Sequence, residues 1–180
     1  GKEATVADFL ALMPNVSIVR HQAATLPAWD IKAELPARMV AALASPRGYR
    51  ALRLDEERKA IQQALEGNPH VKTTFVPNAR PETLLSGVEK AHLFHFAGHG
   101  DFEKDTMSAQ PGKYEGEGFI ILDNGRNAAV QFNAGQLALR LRQAGVRVAV
   151  LGACRSGRRD DVNTWSSVAT ALLKAGLGAV

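Results

Sequence analysis

The sequence predicts an α/β fold, a three-layer sandwich in which helices cover both faces of a mostly parallel sheet. Apolar runs at residues 39–44 and at residues 146–151, the second interrupted only by Arg147, are typical of strands that are buried on both faces. Helical segments alternate with the strands along the chain, as expected where helices connect parallel strands. Two strands also end in turns that carry reactive side chains, and ligands gather at the carboxyl ends of such strands.

The first half of the domain shows this alternation clearly. Residues 39–44 form an apolar strand that ends at the turn signal Ser45-Pro46-Arg47-Gly48. Residues 55–65 predict a helix, because its apolar residues share one face and Gly67 stands just beyond its end. The pattern then repeats with a strand at residues 71–76, a helix at residues 81–88 and a strand at residues 91–97.

The second half contains an interruption. Residues 98–118 are rich in Gly, Asp, Lys and Glu and predict a polar excursion. The apolar residues 119–122 and the turn Asp123-Asn124-Gly125 then predict a hairpin inserted between the repeats. Asn133 is predicted to cap a helix that ends at Gly145. The last elements are a strand at residues 146–151 and a helix that begins near residues 163–164 and ends at residue 174.

The chain divides into a short lead-in and one domain. Residues 1–36 contain Pro27 and Pro36 and are expected to be a lead-in or linker. Residues 37–180 are expected to form the domain. Because the chain starts at Gly1 and stops within the apolar residues 177–180, we expect it to be a piece of a longer protein and the domain to be incomplete at its C-terminal end.

Composition excludes several function classes. A hydrophobic content of 46% is ample for a buried core. The net charge of +4 is spread along the chain and aromatic residues are only 6%, so no nucleic-acid partner is expected. The single cysteine allows no internal disulfide, which favours the cytoplasm. The sequence contains no apolar run of about 18 residues, the length needed to cross a bilayer, so no membrane association is expected. No cofactor or metal is predicted.

Cys154 and His99 are the candidate catalytic pair. Each follows an apolar strand, and neighbouring parallel strands would bring both residues to the same edge of the sheet. A thiol attacks well only as a thiolate, and a nearby imidazole promotes its ionisation. The pair therefore predicts a cysteine endopeptidase that cleaves peptide bonds in a protein substrate.

Residues beside this pair suggest the rest of the site. Gly100 has no side chain, so its backbone N–H can approach a substrate carbonyl and form an oxyanion hole with the N–H of Cys154. Asp101 and Arg155, next to the glycine and the cysteine, are candidate substrate-binding residues.

The two strand ends resemble those of caspase-like (clan CD) cysteine peptidases, and within that clan the CHAT domain. In caspases, too, the histidine lies upstream of the cysteine, by about 50 residues. The stretches that carry the resemblance are residues 9–12, 44–49, 93–100, 151–157 and 165–176. The resemblance implies a caspase–haemoglobinase-like fold, His99 as base, Cys154 as nucleophile and a bacterial source. It also implies activation by a regulatory protein or repeat domain in the same or a companion chain.

Other interpretations of these residues remain open. His95 is a rival base, although a histidine between two phenylalanines within a strand more often packs than reacts. His92, His95 and His99 suggest a zinc site, but no cysteine or carboxylate completes a typical ligand spacing. Cys154 could instead be a redox-sensing thiol. The main alternative from another class is a catalytically silent CHAT scaffold that binds other proteins.

Overall fold

The computed structural model describes residues 34–104, 116–126, 128–153, 161–177 and 180. Most of the predicted lead-in lies outside these residues, so its boundary with the domain stays a prediction. The described strands are β1 (Ala37–Leu43), β2 (Val71–Val76), β3 (Leu93–Lys104), β4 (Gly116–Asp123), β5 (Ala129–Asn133) and β6 (Val148–Ala153). The described helices are α1 (Leu54–Leu65), α2 (Pro81–Gly87), α3 (Ala134–Ala144) and α4 (Asp161–Lys174).

The strands form one open, mixed sheet. Its order is β2-β1-β3-β4-β5, and β6 also pairs with β3. β1 is parallel to β2 and β3, and β6 is parallel to β3. β4 is antiparallel to both β3 and β5. The α/β class is therefore confirmed, whereas the expectation of a mostly parallel sheet is wrong.

The mixed direction arises from β3, which is longer than the sequence predicts. The apolar pattern ends at Ala97, yet the strand continues to Lys104. Residues 93–98 lie between β1 and β6, and residues 99–104 pair with β4. A strand with polar residues is stable there because an antiparallel strand can expose one face to water.

β4 follows β1 along the same edge of β3. The N–H of Asp123, at the end of β4, donates to the Ala79 carbonyl at 2.9 Å. The N–H of Ala79 in turn donates to the carbonyl of Leu43, the last residue of β1, also at 2.9 Å. The ends of β1 and β4 therefore meet beside this loop, and β6 occupies the opposite edge of β3.

The predicted hairpin is present as β4 and β5. Its turn is held by local side-chain hydrogen bonds. Asp123 Oδ1 accepts from the N–H of Gly125 at 2.6 Å, and Asn124 Oδ1 accepts from the N–H of Arg126 at 2.8 Å. Asp and Asn favour turns because their short side chains bond to the backbone two residues further on.

The predicted limits of α3 are also confirmed. Asn133 Oδ1 accepts from the N–H of Gly135 at 2.8 Å and from that of Gln136 at 3.1 Å, so it caps the helix. Gly145 ends the helix with φ 91°, a left-handed conformation that glycine adopts without steric cost.

The main core lies on one face of the sheet. Strand alternation directs every second side chain to this face, including Phe94 and Phe96 of β3 and Leu122 of β4, all of which are buried. The helices that cover them contribute Leu84 from α2, Leu137 and Leu141 from α3, and Val168 and Leu172 from α4. Val88, which directly follows α2, packs in the same core.

The opposite face is covered differently. There Arg58 of α1 stacks 5.1 Å from the centre of the Phe75 ring, but no residue of α1 is buried. The three-layer arrangement accordingly stays a prediction. No helix in the described part of the chain is long and apolar enough to cross a membrane.

Replacement of Gly98 by alanine is expected to lower the free energy of unfolding by about 1–3 kcal/mol, because added bulk in a packed core forces strain. The new methyl would overlap Phe96 Cζ and lie 3.1 Å from the Ala44 carbonyl oxygen. Urea denaturation followed by circular dichroism measures the change. The control background is Phe96→Leu, which lacks the overlapping ring atoms and should reduce the cost of Gly98→Ala. An equal cost in both backgrounds would contradict the proposed clash.

Candidate active site

The carboxyl end of β6 lies beside the middle of β3, where the apolar part of β3 ends. In their parallel register, Ala97 pairs with Gly152 and Gly98 pairs with Ala153. His99 follows Gly98 directly, and Cys154 follows Ala153 directly in the sequence. Cys154 and Arg155 themselves lie outside the described residues. The residues immediately before the predicted base and nucleophile are therefore neighbours across two strands.

The imidazole of His99 is held by the loop between β1 and α1. Its Nε2 lies 2.7 Å from the carbonyl oxygen of Arg50. Because a carbonyl can only accept a hydrogen bond, Nε2 must donate and must carry a proton. In the neutral ring, Nδ1 is then the nitrogen that can accept a proton. The Tyr49 ring lies against the imidazole, with 5.1 Å between ring centres and a tilt of 34°.

The backbone of β3 determines which edge the N–H of Gly100 faces. In a strand, the N–H and C=O of one residue face the same edge, and the edge alternates between successive residues. The Ala97 carbonyl accepts from the Ala44 N–H at 3.0 Å, so Ala97 faces the edge where β1 lies. Gly100 is three positions further on. Alternation therefore directs its N–H to the other edge, on the side of β6.

Asp101 lies on the same face of β3 as His99, because alternate residues of a strand share a face. Its Oδ2 accepts from Gln131 Nε2 at 2.9 Å, and its Oδ1 accepts from the N–H of Phe102 at 2.8 Å. These two bonds fix the orientation of the carboxylate. Burial raises the pKa of Tyr49 above its usual value, and the negative charge of Asp101 raises it further.

His95, within β3, and His92, directly before it, lie in different surroundings from His99. His95 is buried, with Nε2 3.1 Å from Glu57 Oε1. Burial lowers its pKa and outweighs the Glu57 carboxylate, which raises it. His92 Nε2 lies 2.9 Å from Arg38 Nη2, at the opposite end of the strand. In the part of the chain that the structure describes, no cluster of three His, Cys, Asp or Glu side chains could hold a metal ion.

Comparison with protein-family models identifies the family of this chain. The family model described as CHAT domain matches residues 10–180. The chain belongs to the CHAT domain family. This family is related to the caspase-like cysteine peptidases. A search of curated proteins finds no match to this chain.

The sequence does not single out three contributors to the site of this CHAT domain: Tyr49, Arg50 and Gln131. Arg50 acts through its backbone carbonyl, which every residue possesses, so its side chain gives no signal. Gln131 reaches Asp101 only because β5 pairs with β4. Tyr49 lies in a stretch that carries the family resemblance, and that stretch is the one available signal for this residue.

We expect the neutral imidazole of His99 to carry its proton on Nε2, because the Arg50 carbonyl can only accept. The ¹⁵N chemical shifts of the two ring nitrogens, measured by NMR on the labelled protein, distinguish the tautomers. The exposed His70 provides an internal reference in the same spectrum. A neutral His99 protonated mainly on Nδ1 would contradict the hydrogen bond to Arg50.

Asp101→Asn is expected to lower the pKa of Tyr49, because the substitution removes the negative charge that disfavours the tyrosinate. The pKa should stay above the usual value, since burial is the larger cause. Alkaline titration followed by tyrosinate absorbance measures it, with Tyr49→Phe used to assign the signal. The control is Glu82→Gln, which removes an exposed carboxylate from α2. An unchanged or raised pKa in Asp101→Asn would be incompatible with the assigned interaction.

Proposed function

We propose that this CHAT domain is a cysteine endopeptidase with Cys154 as nucleophile and His99 as base. The observation that carries the proposal is the pairing of Gly98 with Ala153, each of which immediately precedes one member of the pair. Neighbouring strands are about 4.8 Å apart. This spacing supports the proposal that the imidazole serves the thiol of the residue that follows Ala153 in the sequence.

The tautomer of His99 suits the proposed chemistry. Nδ1 of the neutral ring accepts the proton of the Cys154 thiol, and the resulting thiolate attacks the carbonyl carbon of the scissile peptide bond. The imidazolium then has two protons, one of which still bonds to the Arg50 carbonyl. This carbonyl keeps the ring oriented.

The remaining steps use the same groups. The N–H groups of Gly100 and Cys154 stabilise the negative oxygen of the tetrahedral intermediate. Collapse of the intermediate breaks the C–N bond, and His99 returns its proton to the leaving amine. A water molecule then gives a proton to His99 and attacks the thioester. Cleavage of the C–S bond releases the new carboxylic acid, which loses its proton to solvent, and His99 returns its proton to the sulfur of Cys154.

Two charged residues are proposed to contact the substrate. Asp101 presents an oriented carboxylate on the face of β3 that carries His99. Arg155 follows the nucleophile, together with Arg158 and Arg159 in the same segment. Nearby cationic groups favour the thiolate form of a cysteine. We also propose a cytoplasmic, bacterial enzyme whose activity is switched on by a partner protein or repeat domain.

Labelling with an electrophilic peptide tests the proposal directly, since the sequence contains one cysteine and any thiol adduct reports on Cys154. The wild-type protein should react faster than His99→Ala at neutral pH, on the order of tenfold, because an unassisted thiol is mostly protonated. His70→Ala is the matched control, as it removes an exposed histidine. It should react like the wild type.

The result that would overturn the proposal is an equal reaction rate in the wild type and His99→Ala when circular dichroism shows both proteins folded. Equal rates would favour the catalytically silent scaffold. Sensitivity to peroxide without peptide labelling would instead favour a redox-sensing thiol. If labelling depends on His99, comparison of cleavage sites in lysates treated with the wild type or with Cys154→Ala identifies the substrates.

A further inference from the structure

A histidine and a glutamate meet beneath the candidate site. His95 lies on β3 with its side chain 10% exposed, and Glu57 lies in the first turn of α1 with its side chain 35% exposed. The distance between His95 Nε2 and Glu57 Oε1 is 3.1 Å. Their approach does not have hydrogen-bond geometry, and the two groups form an ion pair only when His95 is protonated. A buried imidazole beside a carboxylate is costly to desolvate, and the arrangement therefore calls for an explanation.

The pair lies next to β6. A Cβ on Gly152 would lie 3.6 Å from both Glu57 Oε1 and His95 Nε2, which is ordinary van der Waals contact, and 3.3 Å from the Phe96 carbonyl oxygen. The two side chains therefore meet directly beside Gly152. Gly152 precedes Cys154 by two positions. The pair thus lies where α1, β3 and the strand that leads to Cys154 converge.

Helix α1 is held to the sheet less firmly than α3 is held. None of its residues is buried, in contrast to α3, whose Ala134, Leu137, Ala138 and Leu141 are. Its apolar residues Leu54, Ile61 and Leu65 are only half-buried, on the helix face that also carries Glu57. Its described contacts with the sheet also include the stacking of Arg58 on Phe75 and the contact of Glu57 with His95. Since apolar burial supplies most of the attachment of a helix, these polar contacts supplement a weak apolar attachment.

Helix α1 directly follows the loop that holds His99. The helix begins at Leu54, four residues after Arg50, whose carbonyl accepts from His99. Between Arg50 and the helix, the N–H of Leu52 donates to Ser45 Oγ at 3.1 Å, which joins the two ends of the loop. A shift of α1 across the sheet would therefore displace the Arg50 carbonyl and the Tyr49 ring.

We propose that Glu57 and His95 are positioning residues, which hold α1 against the sheet and thereby keep the Arg50 carbonyl in place for His99. Neither side chain needs to touch the substrate in this role. The catalytic consequence rests on the proposed function, whereas the positioning of His99 does not depend on it. The proposal also explains why a polar pair occupies this buried position instead of apolar side chains.

Glu57→Ala tests the proposal, with Glu56→Ala as the matched control. Glu56 is the preceding residue of the same helical turn, is 68% exposed and pairs only with Arg53 at 3.3 Å among the described contacts. Both variants remove one carboxylate and introduce an alanine, so they change the helix propensity of α1 equally. The first readout is the tautomer of His99 by ¹⁵N NMR. Glu57→Ala should increase the share of His99 protonated on Nδ1, and Glu56→Ala should leave it unchanged.

The second readout is the rate at which the electrophilic peptide modifies Cys154. Glu57→Ala should lower this rate on the order of tenfold, since a misplacement of about 1 Å can cost a hundredfold. His95→Gln should have a similar effect. The double variant Glu57→Ala/His95→Gln should be little worse than either single one, because residues that act as a unit are not additive.

The outcomes separate the two proposals. A loss of unfolding free energy in Glu57→Ala, with the His99 tautomer the same as in Glu56→Ala, would show a purely structural role and overturn the positioning proposal. Modification of Cys154 that does not depend on His99 in the wild type would overturn the proposed function. In that case, the NMR comparison still decides whether Glu57 and His95 position His99.

Discussion

Because a strand has only two edges, β3 can contact three neighbouring strands only by changing partner along its length. β6 occupies one edge of residues 93–98, while β1 and then β4 occupy the other edge. The change from β1 to β4 takes place at residues 98 and 99. His99 therefore stands where the parallel part of the sheet passes into the antiparallel part. Beyond this point, the N–H of Gly100 faces the edge along which β6 approaches and ends at Ala153.

This arrangement builds the candidate site largely from backbone groups. The Arg50 carbonyl orients the imidazole, and the Gly100 N–H is the proposed donor to the substrate oxygen. Backbone groups of a rigid strand are well suited to this task, because they are already oriented before the substrate binds. Side chains then add a second layer of control. Tyr49 lies against the imidazole, while Glu57 and His95 are proposed to hold the helix that follows the Arg50 loop.

The elements of the core could be predicted because their signals are local. Asn133 and Gly145 mark the two ends of α3, since a helix cap acts within a few residues of itself. The turn at residues 123–125 has the same kind of local signal. The extension of β3 to Lys104 has none. Residues 99–104 are too polar to suggest a buried strand. They form a strand only through pairing with β4, which lies further along the chain.

Taken alone, the sequence determined the α/β class, most of the helices and strands, the CHAT family and the chemical types of the residues at positions 99 and 154. These depend on side-chain periodicity and on short motifs. The tertiary structure decided the mixed direction of the sheet, the contact of the Arg50 carbonyl with His99 and the meeting of Glu57 with His95. The reason is that these features join residues that are distant in the sequence, such as the 49 positions between Arg50 and His99 and the 38 between Glu57 and His95. No local pattern encodes such a distance.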